Sequence, residues 1–278
     1  MKNYRFEEGA PDMARQTPSH MSYLIFALVV VVIFSTAALA DAEPFQEYYE
    51  YRFSSGLPGN NAAVAPGGHV GIRGAAQMTI PVAYTPSKGT IAIDANNGMA
   101  RGGLTLDWHG PKSNGTLNPS FGFLEPGRGL YAAYMLTSDR GEPAYNLQHQ
   151  LRPEDDQGPA VAVGVLDLVN QRASTLERPL AGDARSFYVV ATRELETGQR
   201  PLFATLGYGT DRFGDGPFAG LCYQVSDRFS VSAEYDGLGA NACFNYALRD
   251  ADRKDNFILF GGIADMDQLS YGLTYTSN

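Results

Sequence analysis

Asp107 and His109 alternate on the polar face of one short run, and Glu234 stands on the polar face of another, so the chain carries the residue types of an acid/base cluster. Such chemistry needs the three groups to converge on one substrate atom; polar residues scattered along strands are ordinarily wall. A lipid hydrolase would need Ser, His and an orienting polar group facing one way at a rim. His149 instead shares the face of Tyr145, Leu147 and Leu151, and His69 lies in a Gly-rich stretch. The spacing of His69, His109 and His149 suggests no metal. Gly237-Leu-Gly239-Ala-Asn-Ala242 fits the dinucleotide fingerprint, but that motif works only where a helix follows and offers its N-terminus to pyrophosphate. An alternating strand follows here, so the match reads as a hairpin turn. Asp250, Asp252 and Asp255, with Asp211 and Asp215 elsewhere, are oxygen ligands of the calcium type. Counted from Asp250, however, the sixth place holds Asp255 where an EF-hand needs Gly, and the twelfth holds Gly261 where it needs Glu. Solvated acidic loops are the plainer reading. The sequence predicts no catalytic residue, no cofactor and no metal.

Cys222 and Cys243 are the only cysteines, which excludes a disulfide scaffold and the paired-thiolate zinc spacings. The run Phe229 to Tyr235 lies between them. If hairpins connect the three runs, two strand spacings hold the Cα atoms roughly 9–10 Å apart, beyond the reach of about 7 Å that a disulfide allows. Both are expected as free thiols.

The elements that position these residues begin after an export signal. Tyr23 to Phe34 is unbroken and apolar, and the small residues Ser35 to Ala40 end in an A-x-A cleavage pattern, so residues 1–40 read as a signal peptide. Glu7, Glu8 and Asp12 offset Lys2, Arg5 and Arg15 ahead of it; a start at Met13 would remove the acids and keep Arg15. The competing reading is an uncleaved anchor, since Tyr23 to Ala40 is just long enough to span a bilayer. Formal charge is −9, which argues against nucleic acid or an anionic surface as partner. Charged residues are 18% of the chain while Gly numbers 31 and Tyr 16, a balance that suits outer-membrane barrels and some secreted β-sandwiches alike.

From about Gly68 onward the recurrent period is two. In residues 217–248 the set Ala219, Leu221, Tyr223, Val225 opposes Phe218, Gly220, Cys222, Gln224. After the turn at Ser226-Asp227, Phe229, Val231, Ala233, Tyr235 oppose Ser230, Ser232, Glu234, Asp236, and Ala242, Phe244, Tyr246, Leu248 then oppose Asn241, Cys243, Asn245, Ala247. One face is apolar and aromatic, the other small and polar. Similar runs occur at Leu104–Trp108, Leu202–Tyr208 and Leu269–Tyr275. A soluble sandwich would put charge on its second face; Gly, Ser, Thr and Asn suit a crowded lumen. The sequence therefore predicts an all-β fold: a single antiparallel up-and-down transmembrane barrel of about 12 strands, in a range of roughly 10–14. Residues 41–66 are expected to be an N-terminal arm, a plug or a first strand, and 67–278 the barrel. Candidates for the lumen are Asp107, His109, Gln224, Ser232, Glu234, Asn241 and Asn245; candidates for the lipid face are Trp108, Leu221, Tyr223, Phe229, Val231, Tyr235, Phe244, Tyr246, Tyr271 and Tyr275. An Arg at Ser232 is accordingly expected to be milder than one at Val231. The runs Val161–Val165 and Phe257–Phe260 fit a two-faced wall less well and suggest packing against a plug, a partner or a second layer. Loops rich in Asp, Gly, Pro and Arg at 139–143, 153–159, 178–184, 211–217 and 249–256 read together as the exposed side, opposite the short Ser226-Asp227 turn.

The block FAGLCYQVSDRFSVSAEYDG resembles the YjbH-like family of outer-membrane barrels associated with exopolysaccharide export. GIRGAAQMTIPVAYTPSKGTIAI, residues 71–93, is similar to that family's opening pattern of a Gly-rich strand, Ile-Pro-x-Ala and a Lys-Gly turn. The resemblance implies passage or anchoring of an exopolysaccharide at the cell surface, with outer-membrane lipid, a polysaccharide and envelope export proteins as partners, and no enzymatic activity. A structural or adhesive barrel without transport, and a barrel-embedded or secreted hydrolase, remain the alternatives.

Overall fold

The computed structural model describes residues 56–99, 113–125, 127–137, 143–170, 185–195, 200–251, 253–264 and 268–278. The signal segment 1–40, the arm 41–55, and Asp107, Trp108 and His109 lie outside the described residues. A short hairpin, β1 (Ala63–Val64) and β2 (Val70–Gly71), precedes twelve longer strands. These are β3 (Ile91–Met99), β4 (Ser113–Gly122), β5 (Leu130–Thr137), β6 (Pro143–Arg152), β7 (Ala160–Leu166), β8 (Ser186–Leu195), β9 (Leu202–Gly209), β10 (Gly216–Ser226), β11 (Phe229–Tyr235), β12 (Ala240–Ala247), β13 (Asp255–Ala264) and β14 (Gln268–Ser277). Each pairs antiparallel with its chain neighbour, and β14 pairs with β3, so the twelve close a barrel with no free edge. The expected fold and strand number are those observed. Closure matters physically because it leaves no strand edge whose unpaired N–H and C=O groups would face hydrocarbon.

Period-two alternation sorts the side chains. On the outside stand Ile93, Leu117, Tyr145, Val189, Leu206, Tyr208, Phe244, Leu259 and Leu273, all exposed. On the inside stand Asp94, Asn118, Asn146, Gln148, Thr192, Thr205, Glu234, Asn241, Asn245 and Thr274, all buried. A water-soluble fold would have the opposite arrangement.

The inside is buried because the chain fills it. Residues from Leu57 to Thr85 run through the lumen and nearly all are buried, with Ile72, Met78, Ile80, Val82 and Tyr84 showing no exposed surface. The segment folds on itself: Val64 exchanges both backbone hydrogen bonds with Ala75, Gln77 N–H donates to Gly59 O, and Val82 N–H donates to Pro58 O. Gly74 makes the tight approach possible, with φ +131° and the site of a Cβ only 2.4 Å from the Val64 carbonyl. The plug thus continues well past residue 66, and the wall begins at Ile91 rather than 67. Residues 71–83 alternate like a strand, but all except Arg73 are buried inside the wall.

The wall accommodates the plug through small inward residues. A Cβ at Gly220 would lie 2.6 Å from the Gln77 side chain, and one at Gly262 would lie 2.6 Å from Met78 Sδ. Ala160 and Ala162 on β7, and Ile258 on β13, join the same apolar cluster as plug residues Val64, Ala76 and Val82. This explains why those two strands carry apolar residues on both faces.

Two further expectations are corrected. In a meander the ends alternate, so loops 153–159 and 249–256 share the rim of the β10–β11 turn, while 211–217 belongs to the other. Residues 139–142 and 178–184 lie outside the described residues. Polar composition marks a loop as solvated without saying at which rim. The β10–β11 turn itself is Asp227-Arg228, since Ser226 pairs with Phe229 after an irregularity between Gln224 and Ser226.

Candidate functional site

The inward side chains of β11 and β12 meet the plug at its tip. Glu234 accepts from Met78 N–H (2.9 Å), Thr79 N–H (2.7 Å), the Thr79 hydroxyl (2.5 Å) and Asn241 Nδ2 (3.3 Å). A buried carboxylate is tolerable only when donors replace its water, and here the plug backbone supplies them. Asn241 Nδ2 also donates to the Thr79 hydroxyl at 3.1 Å, and Asp236 Oδ2 accepts from that hydroxyl at 3.2 Å.

Arg212 completes this latch from the β9–β10 loop. Its side chain is 1% exposed; Nη2 donates to Thr79 O at 2.9 Å and lies 3.9 Å from Asp236 Oδ2, and the guanidinium sits 4.9 Å from the Phe213 ring centroid. Loop position gave no hint that this arginine points inward. Asp236 also accepts from Leu238 N–H and Gly239 N–H, which organises the Gly237 turn (φ +93°) as a hairpin between β11 and β12. The hairpin turn expected at this motif is the one observed, organised as an Asx-type turn.

Further contacts run down the plug. Ala83 N–H donates to Thr192 Oγ1 (2.9 Å), Gln148 Nε2 to Val82 O (2.9 Å), and Tyr131 OH to Gly56 O (3.1 Å). Near the opposite rim Tyr84 OH donates to Glu154, whose other oxygen accepts from Glu194 N–H at 2.9 Å. Burial and the Glu154 carboxylate together raise the Tyr84 phenol well above its ordinary range, so it stays a donor. At that rim plug residue Arg73 lies 3.7 Å from Asp227, which also pairs with Arg200 at 2.7 Å.

Of the sequence candidates, Gln224, Ser232, Glu234, Asn241 and Asn245 are inward and buried, but only Glu234 and Asn241 join the latch; Asp107 and His109 lie outside the described residues. Among the outer candidates Phe244 and Tyr246 are exposed, while Tyr223, Phe229, Val231, Tyr235, Tyr271 and Tyr275 are half-exposed on the same register. Leu221 stands on that register between Ala204 and Ala233 yet is only 6% exposed, so it packs within the outer face. Cys222 and Cys243 are free and buried, with Ser232 between them in the ladder. Asp250 and Asp255 pair with Arg228 and Arg249, and Asp215 accepts from Asp211 N–H at 2.9 Å, so these acids serve loop structure. Asp252 lies outside the described residues.

The arrangement is a lock, with a carboxylate and a guanidinium holding the backbone of an internal segment. Both Glu234 oxygens accept from plug donors at Met78 and Thr79, so this carboxylate holds the seated plug.

No family model and no curated protein matches the chain. Among solved structures it is similar to the KdgM porin in complex with disordered oligogalacturonate, at 10% identity over 67% of this chain and 98% of that one, TM-score 0.43. It is also similar to the Acinetobacter baumannii outer membrane protein Omp33, at 9% identity over 68% and 97%, TM-score 0.38. A third is an active-site mutant of Escherichia coli outer membrane phospholipase A, at 13% identity over 68% and 90%, TM-score 0.39.

Proposed function

We propose that this protein is a bacterial outer-membrane barrel, closed by its own N-terminal segment, that anchors an exopolysaccharide at the cell surface without offering it an open pore. The membrane reading is supported by an apolar outer face on strands of 7 to 11 residues closed without an edge. The observation that carries closure is the burial of the plug from Leu57 to Thr85 inside the wall. Anchoring rather than passage follows, because a polymer threading the lumen would first have to break the Glu234 and Arg212 contacts and expel the plug. The polysaccharide itself rests on the resemblance in the two sequence blocks. The protein on this reading is not an enzyme. Its partners are the lipid around its outer face, the glycan and proteins of the export machinery.

Gene deletion distinguishes the roles. Anchoring predicts that deletion leaves total polysaccharide unchanged and moves it from the cell surface to the medium. Accumulation of polymer in the periplasm would support passage instead, and unchanged distribution would leave the structural or adhesive reading. Recovery of the mature protein as a water-soluble monomer without detergent would overturn the membrane placement.

A further inference from the structure

The plug meets solvent at the rim of the β10–β11 turn. Its β1–β2 turn lies there, with Gly67 exposed and Pro66 and His69 half-buried. Contacts lead from this turn around the mouth. Ser87 N–H donates to Gly68 O at 2.8 Å, which sets Lys88 beside the turn on one side. On the other, the Asn278 side chain accepts from Val70 N–H and donates to Val70 O, both at 2.8 Å, and Asn278 N–H donates to Lys254 O at 2.9 Å. Arg253 N–H donates to Asp250 O, Asp250 pairs with Arg228, and the adjacent Asp227 meets both Arg200 and the plug's own Arg73. The result is a crescent of cations about the exposed turn. Lys88, Arg253 and Lys254 are exposed and have no carboxylate partner among the described residues, while Arg73 and Arg200 share one. This part of the mouth is therefore positive, although the formal charge of the chain is −9. Elsewhere on the same rim Arg128 and Arg193 stand among the exposed carboxylates Glu125, Asp156 and Glu194.

Clustered like charges repel one another, and an oppositely charged partner relieves that repulsion and is steered toward it. The direction of approach follows from the connections. The two-residue β10–β11 turn marks the periplasmic rim of an outer-membrane barrel, and the long connections 100–112 and 167–185 lie at the opposite rim. Because Arg73 belongs to the plug, the crescent borders the mouth of the lumen rather than the lipid belt, so its occupant comes from the periplasm. We propose that this crescent is a docking site for an acidic segment of a periplasmic protein, which meets the plug at its exposed turn. The inference rests on the proposed anchoring role, which keeps the glycan at the far rim and leaves this one to a protein of the export machinery.

The test is fluorescence anisotropy of a labelled polyglutamate peptide with the detergent-extracted full-length protein. The expected result is binding that weakens as salt rises from roughly 50 to 300 mM, as exposed charges are screened. The triple variant Lys88→Gln, Arg253→Gln, Lys254→Gln should weaken it on the order of tenfold. Arg128→Gln with Arg193→Gln, on the same rim but outside the crescent, should change it less than about twofold. Heat-modifiable migration shows that each variant is folded. Absence of binding, or equal binding by the triple variant, would overturn the site. Polygalacturonate binding more tightly than polyglutamate, with the same loss in the triple variant, would give the crescent to an acidic glycan and overturn the protein partner. Release of polysaccharide on gene deletion without peptide binding would overturn docking and leave anchoring in place; peptide binding with unchanged polysaccharide distribution would do the reverse.

Discussion

Glu234 on the barrel wall and Thr79 at the tip of the plug are joined three ways: the Thr79 amide donates at 2.7 Å and its hydroxyl at 2.5 Å to Glu234 Oε1, while Asn241 bridges the pair. Because the carboxylate is fully buried, its removal leaves the Met78 and Thr79 amides without acceptors. Glu234→Ala should therefore destabilise the plugged state by on the order of 2–5 kcal/mol. Urea titration followed by the heat-modifiable gel shift reads this directly. Stability equal to wild type would mean that the plug is not held at its tip.

Gly74→Ala tests the plug without touching the wall. The positive φ and the 2.4 Å approach to Val64 leave no room for a methyl group, and the backbone strain alone costs roughly 1–3 kcal/mol. Limited proteolysis should cut residues 56–88 faster in the variant while the barrel fragment stays intact. Unchanged cleavage would contradict the packing described for this turn.

Much of this was readable from alternation. In β10 as far as Gln224, and in β11 and β12, inward and outward positions follow the period of two, and the ladder Cys222, Ser232, Cys243 has the strand order expected of a meander. The plug was not readable beyond residue 66. Residues 71–83 have the Gly content and alternation of a wall strand, and nothing local distinguishes burial by enclosure from burial in a sheet. Arg212 was missed for a similar reason: loop arginines are ordinarily solvated, and its inward course depends on Thr79 and Asp236, remote in sequence.

The cysteine ladder makes its own prediction. With Ser232 between them, Cys222 and Cys243 stay reduced, and both are buried. Alkylation should be slow in the folded protein and reach two sites after unfolding without reductant. A disulfide-linked peptide in the unreduced digest would contradict the register.

Arginine substitution probes the two faces. Val231→Arg puts a charge on the outer face, at a cost of about 2–4 kcal/mol near the bilayer midplane. Ser232→Arg, expected to be milder on the sequence alone, now carries a penalty of its own, because Ser232 is 5% exposed and its hydroxyl lies 2.8 Å from Cys243 Sγ. Folding in detergent and the urea midpoint give both values. Wild-type stability of Ser232→Arg would mean that the lumen is open at this level.

Acid should loosen the plug at its other end. Hydrogen bonding and attraction from Arg200, aided by Arg73, hold the Asp227 carboxyl below its usual range. A depressed folded value means that the stabilisation is present above the unfolded carboxylate range, about pH 4, and is lost as pH falls through the folded value. Protection of the amides around Arg73, relative to their intrinsic exchange rate at each pH, should fall below about pH 4 in wild type, and Asp227→Asn should already show the lower protection at about pH 5. Equal exchange in both proteins at the higher pH would mean that this rim contact does not hold the plug.

The chain from Leu57 to Thr85 occupies the lumen, and hydrogen–deuterium exchange of the detergent-extracted protein tests that placement most directly. The amides of Val64, Gln77, Met78, Thr79, Val82 and Ala83 all donate within the barrel interior. They should be protected as strongly as those of β10 to β12, and exchange of these amides at the rate of an unstructured tail would contradict it.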